Sequence, residues 1–154
     1  MTNSPLESEV NVEGDFLMTI YIFVEPRTVT HQEKKIVVNK KTGKPHTYEP
    51  AALSDARELY MAHLSKFKPD SPMDGPLSLS VKWVFHHDKA KHVQWRTRKP
   101  DTDNLNKLLK DCMTECGFWH DDAQVVAESI SKFDTPGPGM IMIELRPVEE
   151  VPNE

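Results

Sequence analysis

At 154 residues the chain is long enough for one domain with a buried core. Hydrophobic residues make up 38% and charged residues 28%, and no apolar run approaches the roughly 20 residues that span a bilayer, which argues against a transmembrane protein. The net charge of −5 argues at first against a nucleic-acid partner. The N-terminus is acidic and has neither the positive start nor the apolar segment of a signal peptide, which predicts a cytoplasmic protein.

The first half of the chain predicts a polar tail, a strand, a basic hairpin and a helix. Residues 1–14 are polar and acidic, and we expect them to form a disordered tail. Phe16–Val24 is rich in aromatic and β-branched residues, which is typical of a buried strand. Arg27–Pro50 contains the strand-like KIVV and the turn signal KTGKP, which predict a hairpin. The apolar stripe of Tyr48–Phe67 predicts a helix.

The second half predicts strands on both sides of a second helix. Leu77–Phe85 alternates apolar and polar residues, and Val93–Lys99 is predicted to be a strand that points basic side chains outward. Asn104–Cys116 carries an unbroken i, i+3, i+4, i+7 apolar stripe and precedes a glycine suited to end a helix. Ala123–Phe133 and Met140–Pro147 predict two final strands joined by the turn TPGPG.

The order of these elements predicts an α/β (α+β) fold, a single domain in which two main helices pack on one mixed sheet. We expect this domain to span residues 15–148 and residues 149–154 to form a solvated tail. Trp83 and Trp95 are expected in the core or at a subunit interface. The two cysteines lie four residues apart on the second helix, which predicts reduced core thiols and not a disulfide.

Positive charge is concentrated in two segments of the chain. Residues 27–46 contain six lysine and arginine side chains and one glutamate, and residues 82–99 contain six and one aspartate. Such segments can bind phosphate groups whatever the net charge of the chain. The alternative, two solvated loops, fits the composition equally well.

Two pairs of aspartates stand at the two ends of the second predicted helix. Asp101 and Asp103 precede it in a proline-led turn, and Asp121 and Asp122 follow it before an apolar run. Clustered carboxylates repel one another unless a cation lies between them, and oxygen ligands of this kind suit a hard divalent cation such as Mg²⁺. Mg²⁺ held by aspartates and water can activate a water and neutralise a phosphate, as phosphodiester hydrolysis requires.

Lys107 belongs to a polar stripe on the same helix. Asp103, Lys107 and Asp111 are spaced by four residues, so they share one face opposite the apolar stripe. A lysine in that place can neutralise a phosphate, orient a water or balance the carboxylates. Taken alone, the D-x-D-N pattern favours a helix cap at Asp103 and ordinary surface ion pairs. The second aspartate pair shifts the interpretation toward a site, because HDDAQV is an unusual entry to a strand.

Histidines raise zinc as an alternative metal. His86, His87, His92 and His120 are candidate ligands, but none is paired with a cysteine at the spacing of a zinc finger. His120 lies beside the second acidic pair and is more simply a surface residue. The aromatic pair FW directly before it is expected to anchor the turn that presents those acids.

The stretch KPDTDNLNKLLKDCMTECGFWHDDAQV, residues 99–125, resembles the signature of the RusA family of Holliday junction resolvases. The chain differs from some members in lacking a short Pro-Pro-Asn loop near the N-terminus and in carrying the longer basic stretch Arg27–Pro50. The matched positions are Pro100, Asp101, Asp103, Asn104, Lys107, Asp111, Gly117, Trp119, Asp121, Asp122, Ala123, Gln124 and Val125.

The resemblance implies a small homodimeric endonuclease, in the cytoplasm of a bacterial or phage-infected cell, that uses Mg²⁺, or Mn²⁺ in its place, to nick four-way DNA junctions symmetrically. It implies catalytic roles for Asp101, Asp103, Asp122 and Lys107 and metal ligation by the three aspartates, and the acidic pair itself makes Asp121 a further candidate ligand. We further expect branched DNA to contact the basic segments. The predicted DNA-binding residues are Lys34, Lys35, Lys40, Lys41, Lys44, Arg96, Arg98 and Lys99.

Two other functions remain open from the sequence. A catalytically silent protein that binds branched DNA would keep the same fold, and the intact aspartates together with Lys107 argue against it. A small structural domain stabilised by Ca²⁺ or Mg²⁺ would have no nucleic-acid partner, and the two basic segments argue against that possibility.

Overall fold

The structure is a computed structural model that describes residues 9–10, 17–29, 35–149 and 151. Lys34, one of the predicted DNA-binding residues, lies outside the described residues, and the side chain of Lys35 is not described. Most of the two predicted tails also lies outside them.

Two helices and eight strands make up the described part of the chain. The first helix, α1, spans Ala51–Leu64, and the second, α2, spans Thr102–Cys116. Neither α1 nor α2 has both the length and the apolar character needed to cross a bilayer. The strands are β1 (Glu9–Val10), β2 (Met18–Ile22), β3 (Lys35–Val38), β4 (Pro45–Tyr48), β5 (Leu77–His86), β6 (Gln94–Trp95), β7 (Val125–Thr135) and β8 (Met140–Pro147).

Six of these strands form one mixed sheet in the order β1–β2–β8–β5–β7–β6. The central strand β5 pairs antiparallel with β8 and parallel with β7, and the other pairs are antiparallel. β3 and β4 form a separate two-stranded hairpin. The predicted fold class, a mixed sheet packed by two main helices, is confirmed.

The alternation along β5 separates the two faces of the sheet. Every second residue is buried, while the residues between are half-buried or exposed. α1 and α2 pack on the buried face, where the ring of Tyr60 in α1 lies 6.1 Å from that of Trp83. The molecule therefore has two layers, helices on one face of a sheet. The buried side chains of β5 are Leu77, Leu79, Val81, Trp83 and Phe85.

Polar side chains fix how α2 sits on the sheet. The fully buried Asn106 accepts a hydrogen bond from Trp83 Nε1 at 2.7 Å and donates one to Glu128 of β7 at 2.9 Å. Lys110 pairs with the same glutamate at 2.8 Å. A buried amide is stable only when its hydrogen-bond partners are in place, so these bonds fix the orientation of α2 about its own axis. That orientation turns the leucines inward and leaves Lys107 exposed.

Several predicted boundaries change for identifiable reasons. The predicted strand Val93–Lys99 is wrong beyond Gln94–Trp95, because the chain then leaves the sheet edge for the turn before α2. The last predicted strand before the TPGPG turn starts later than expected, at Val125, because Asp122–Gln124 forms a 3-10 turn. Within the segment predicted to be a disordered tail, Glu9–Val10 pairs with β2.

The predicted core residues fall into two groups. Trp83 is buried, as expected, whereas Trp95 is 69% exposed and stacks on Phe133 with ring centroids 4.8 Å apart. Cys112 and Cys116 are both free thiols, as predicted. Burial raises the pKa of the Cys112 thiol to about 12, so this sulfur is an apolar core group at neutral pH.

Candidate active site

The turn that enters α2 carries two carboxylates that form no side-chain bond with the described part of the chain. Asp101 is the N-cap residue, and its backbone carbonyl accepts the first helical hydrogen bond from Leu105 at 3.1 Å, but its side chain makes no capping bond. Asp103 lies in the first turn, and both aspartates are exposed. The cap considered for Asp103 in the sequence is therefore not formed. The positive end of the helix dipole favours negative charge here, and the carboxylates are accessible to a ligand.

The polar stripe predicted for α2 is present. Lys107 is exposed one turn after Asp103, and Asp111 is half-buried one turn further on. Lys107 has no hydrogen bond or ion pair with the described residues, so its ammonium is available to an incoming anion.

The turn that leaves α2 is held by a glutamine. Gln124 Oε1 accepts hydrogen bonds from the backbone of His120 at 2.8 Å and of Asp121 at 3.0 Å. Its amide nitrogen donates to the carbonyls of Met73 at 2.9 Å and Gly75 at 3.0 Å. This side chain therefore holds the turn of residues 120–124 against the segment that leads into β5.

The two aspartates of this turn differ in engagement. Asp121 accepts a hydrogen bond from the backbone nitrogen of Ala123 at 2.8 Å and caps the 3-10 turn. Asp122 is exposed and makes no such bond with the described residues. The predicted metal role of Asp121 stays a prediction, and its observed contact is that of a cap.

The aromatic pair before this turn anchors it, as predicted. Phe118 and Trp119 are buried, and Trp119 Nε1 donates a hydrogen bond to Thr114 at 2.7 Å. Gly117 ends α2 with a φ of 88°, a left-handed conformation that glycine adopts without strain.

One chain does not gather the four aspartates into one cluster. Asp122 borders an open depression of about 720 Å³ beside the C-terminal half of α2, together with Asp111 and Glu115. Asp103 lies eight residues before Asp111, or about 12 Å along the helix axis. Among residues 9–10, 17–29, 35–149 and 151, no three histidine, cysteine or acidic side chains are placed to hold one metal ion.

The donor chemistry of the first acidic pair nonetheless fits Mg²⁺. This cation takes oxygen ligands, keeps several waters and commonly uses only one or two carboxylates beside substrate phosphates. Asp101 and Asp103 meet that requirement. The zinc alternative has no such support, because His86 bonds Asp88 at 2.8 Å and His120 bonds Asp74 at 2.7 Å, on the surface.

The two basic segments differ in how their cations are used. Lys40, Lys41 and Lys44 stand exposed at the tip of the β3–β4 hairpin. Arg96 is only 11% exposed, because its guanidinium bonds Asp134 at 3.0 Å and lies 4.2 Å above the ring of Phe85.

The rest of the second segment is only partly engaged. Arg98 also bonds Asp134, at 2.9 Å, but is 48% exposed, and Lys99 is exposed. The structure therefore leaves Arg98 and Lys99 accessible for DNA and gives Arg96 an internal role. Sequence reasoning missed Asp134, whose position before TPGPG resembles that of an ordinary turn residue.

Comparison with known proteins gives a consistent picture. The profile of the RusA family, described as Endodeoxyribonuclease RusA, matches residues 26–146. The chain is 36% identical over 100 residues to the crossover junction endodeoxyribonuclease rusA of Lactococcus phage r1t, which covers 63% of this chain and 73% of that protein. It is 39% identical over 93 residues to crossover junction endodeoxyribonuclease RusA of Shigella sonnei (60% and 73%). It is also 30% identical over 110 residues to protein YqaN of Bacillus subtilis (64% and 77%).

Proposed function

The chain belongs to the RusA family of endodeoxyribonucleases, and on that basis we propose that it resolves Holliday junctions with Mg²⁺ by nicking two opposed strands symmetrically. The observation that carries this proposal is the exposed acidic turn at the start of α2, with the accessible Lys107 one helical turn beyond it. Relatives named crossover junction endodeoxyribonucleases support the choice of substrate.

Asp101 and Asp103 are the residues that would hold Mg²⁺, with Mn²⁺ as a substitute, and Asp122, at the other end of α2, is the third catalytic carboxylate that the family resemblance implies. When bound, the cation supplies a water of lowered pKa and neutralises charge on the phosphate. The turn before α2 presents both carboxylates without a side-chain bond to the described residues, so neither has to break such a bond to accept a ligand.

Lys107 would act on the scissile phosphate. Its ammonium can bind a non-bridging oxygen and offset the negative charge that develops in the transition state. The backbone of α2 fixes the start of this side chain relative to Asp103, which lies on the same face.

The basic segments would hold the arms of a branched DNA. Lys40, Lys41 and Lys44 project at the hairpin tip, where they can pair with backbone phosphates. Arg98 and Lys99 stand directly before the acidic turn and can bind phosphates close to the scissile bond. These contacts position the DNA without reading its sequence.

We expect a homodimer with two-fold symmetry. Two symmetric nicks in a four-way junction require two active sites, and a symmetric pair of chains supplies both. Phe23 and Trp95, which are 49% and 69% exposed, offer apolar surface for such an interface. Sedimentation at micromolar concentration tests the expectation, and a chain that stays monomeric on junction DNA would favour a single-nick endonuclease.

Cleavage of a synthetic mobile four-way junction, with and without Mg²⁺, tests the function. We expect paired symmetric nicks with Mg²⁺, none in EDTA, and none on a linear duplex of the same sequence. Tight and selective junction binding without cleavage in either Mg²⁺ or Mn²⁺ would instead support a silent DNA-binding protein.

A further inference from the structure

The segment between β6 and the acidic turn is tied to the end of β7 by a buried carboxylate. Asp134 has a side chain only 6% exposed, and its two oxygens accept hydrogen bonds from Arg96 at 3.0 Å and Arg98 at 2.9 Å. The remaining donors of Arg96 reach the carbonyl of Lys99, with Nη2 at 2.8 Å and Nε at 3.2 Å. Charge-assisted bonds of this kind are stronger than neutral ones, so the segment has one favoured position.

A lysine of the same strand holds the residues on both sides of Lys99. Lys132 Nζ donates hydrogen bonds to the carbonyls of Arg98 at 2.8 Å and Pro100 at 2.9 Å. The backbone of Lys132 also accepts a hydrogen bond from Arg96 at 3.0 Å. The ammonium is therefore used inside the chain, and the last carbonyl that it binds belongs to the residue directly before Asp101.

These contacts matter because the Asp101 carboxylate forms no bond with the described residues. The backbone of Asp101 is held by the helix on one side and by the segment before it on the other. Metal ligands must be held within fractions of an ångström to keep their affinity, and partners that orient ligands therefore tune the metal site.

We propose that Lys132 and Asp134 are positioning residues that set the place of Asp101 and Asp103 and thereby the affinity of the site for its divalent cation. The side-chain contacts of both residues with the described residues are with the segment that precedes Asp101. The proposal rests on the proposed function, since it takes the two aspartates as the cation site.

The test compares variants of the full-length protein. Lys132→Met keeps most of the side-chain length but removes both donors, and Lys132→Gln restores amide donors without the charge. Lys110→Met is the matched control, because Lys110 also joins α2 to β7, through Glu128, but does not contact the acidic turn. Asp134→Asn gives an independent second disruption of the same segment.

Two measurements test the affinity of these variants for divalent cations. For Lys132→Met we expect the Mg²⁺ concentration that gives half-maximal junction cleavage to rise about tenfold or more, with the rate largely restored at saturating Mg²⁺. Mn²⁺ binding to the DNA-free protein, followed by electron paramagnetic resonance, should weaken to a similar degree. Lys132→Gln should lie nearer to wild type, and Lys110→Met should match wild type in both measurements even if it melts earlier.

Junction binding in EDTA distinguishes positioning from a direct phosphate contact. The positioning role leaves the affinity of Lys132→Met and its salt dependence unchanged. If the slope of log K for junction binding against log salt concentration became less steep by about one, with Mn²⁺ binding intact, Lys132 would be a DNA contact. That result would overturn the proposal.

Hydrogen exchange of the peptide spanning residues 96–105 gives a readout that needs neither metal nor cleavage. We expect faster exchange there in Lys132→Met and Asp134→Asn, but not in Lys110→Met. Unchanged exchange would overturn the proposal, and so would faster exchange with unchanged Mn²⁺ affinity. If the wild-type protein cleaves no DNA, the proposed function fails, while the exchange measurement still decides whether these residues hold the turn.

Discussion

The two ends of α2 carry the same pair of side chains, but they use them differently. At the entry, Asp101 and Asp103 are both exposed and form no side-chain bond with the described residues. At the exit, Asp121 caps a 3-10 turn, and only Asp122 is left exposed without such a bond. The comparison shows that adjacent identical residues can have different roles, since Asp121 stabilises the turn and Asp122 is exposed by it.

The largest expected effect, on cleavage, is at the aspartates whose side chains form no bond with the described residues, in contrast to the capping Asp121. We expect Asp103→Asn and Asp122→Asn each to lower junction cleavage on the order of a thousandfold, because Asp103 offers its charge to the cation and Asp122 is the third carboxylate proposed to be catalytic. Junction binding in EDTA should persist, since the basic surface is unchanged. Single-turnover cleavage and a mobility-shift titration measure the two quantities. Near wild-type cleavage by either variant would remove that residue from the site.

Lys107→Ala is expected to have the next largest effect. Loss of a cation beside the developing phosphate charge should lower turnover on the order of a hundredfold. The affinity for junction DNA should change little, because this lysine is one of many positive groups. Binding and turnover measured on the same junction separate the two roles, and a loss of affinity alone would mark Lys107 as a phosphate contact.

The same distinction between free and engaged charges can be tested on the cations. Replacing Lys40, Lys41 and Lys44 together with glutamine should make the slope of log K for junction binding against log salt concentration less steep. We expect a change of about 0.9 for each phosphate that is no longer neutralised, or roughly 2.7 in total. Glutamine at Lys66 and Lys68, two exposed lysines that follow α1 and lie outside both basic segments, is the control and should leave the slope unchanged.

Arg96→Gln provides the contrast within the second basic segment. This variant should leave the salt dependence of junction binding unchanged. It should lower the free energy of unfolding by about 3 kcal/mol, because Asp134 loses a partner in a buried ion pair. Urea titration measures the stability. A variant with normal stability and a smaller slope would place Arg96 on the DNA.

The smallest effect concerns the cap itself. Asp121→Ala should lower the free energy of unfolding by about 1 kcal/mol, because the backbone nitrogen of Ala123 loses its acceptor. Asp121→Asn should keep that stability, since asparagine caps as well as aspartate. If Asp121→Asn also keeps cleavage, the residue is only a cap, whereas stable folding with lost cleavage would make it a metal ligand.

Local sequence patterns predicted most of the fold. The apolar stripe of α2 and the alternation of β5 each reflect a single dominant face, so periodicity located both elements. The end of β6 could not be predicted in the same way. Its residues have strand character, but Arg96 bonds to Asp134, which lies 38 residues further along the chain. No local pattern reports a contact over that separation.

For the candidate site, the sequence predicted local placement better than overall arrangement. Spacing indicated that Asp103 and Lys107 share a face, and both are exposed there. The two aspartate pairs were expected to form one cation site, but a helix of this length separates its two ends, and Asp122 lies near Asp111. The cap at Asp121 and the support by Lys132 depend on tertiary contacts, which composition does not report.

The parallel pairing of β5 and β7 has a consequence for how the protein reaches its active form. The whole acidic stretch lies in residues 87–124, the crossover that joins these two strands. Parallel strands require such long connections, and the entropy lost in closing them makes their pairing a late event in folding. Lys132 and Asp134 come after that crossover, so a chain still emerging from the ribosome contains the aspartates but not the strand that bonds the segment before them. A nuclease built in this order becomes competent only after β7 has been synthesised.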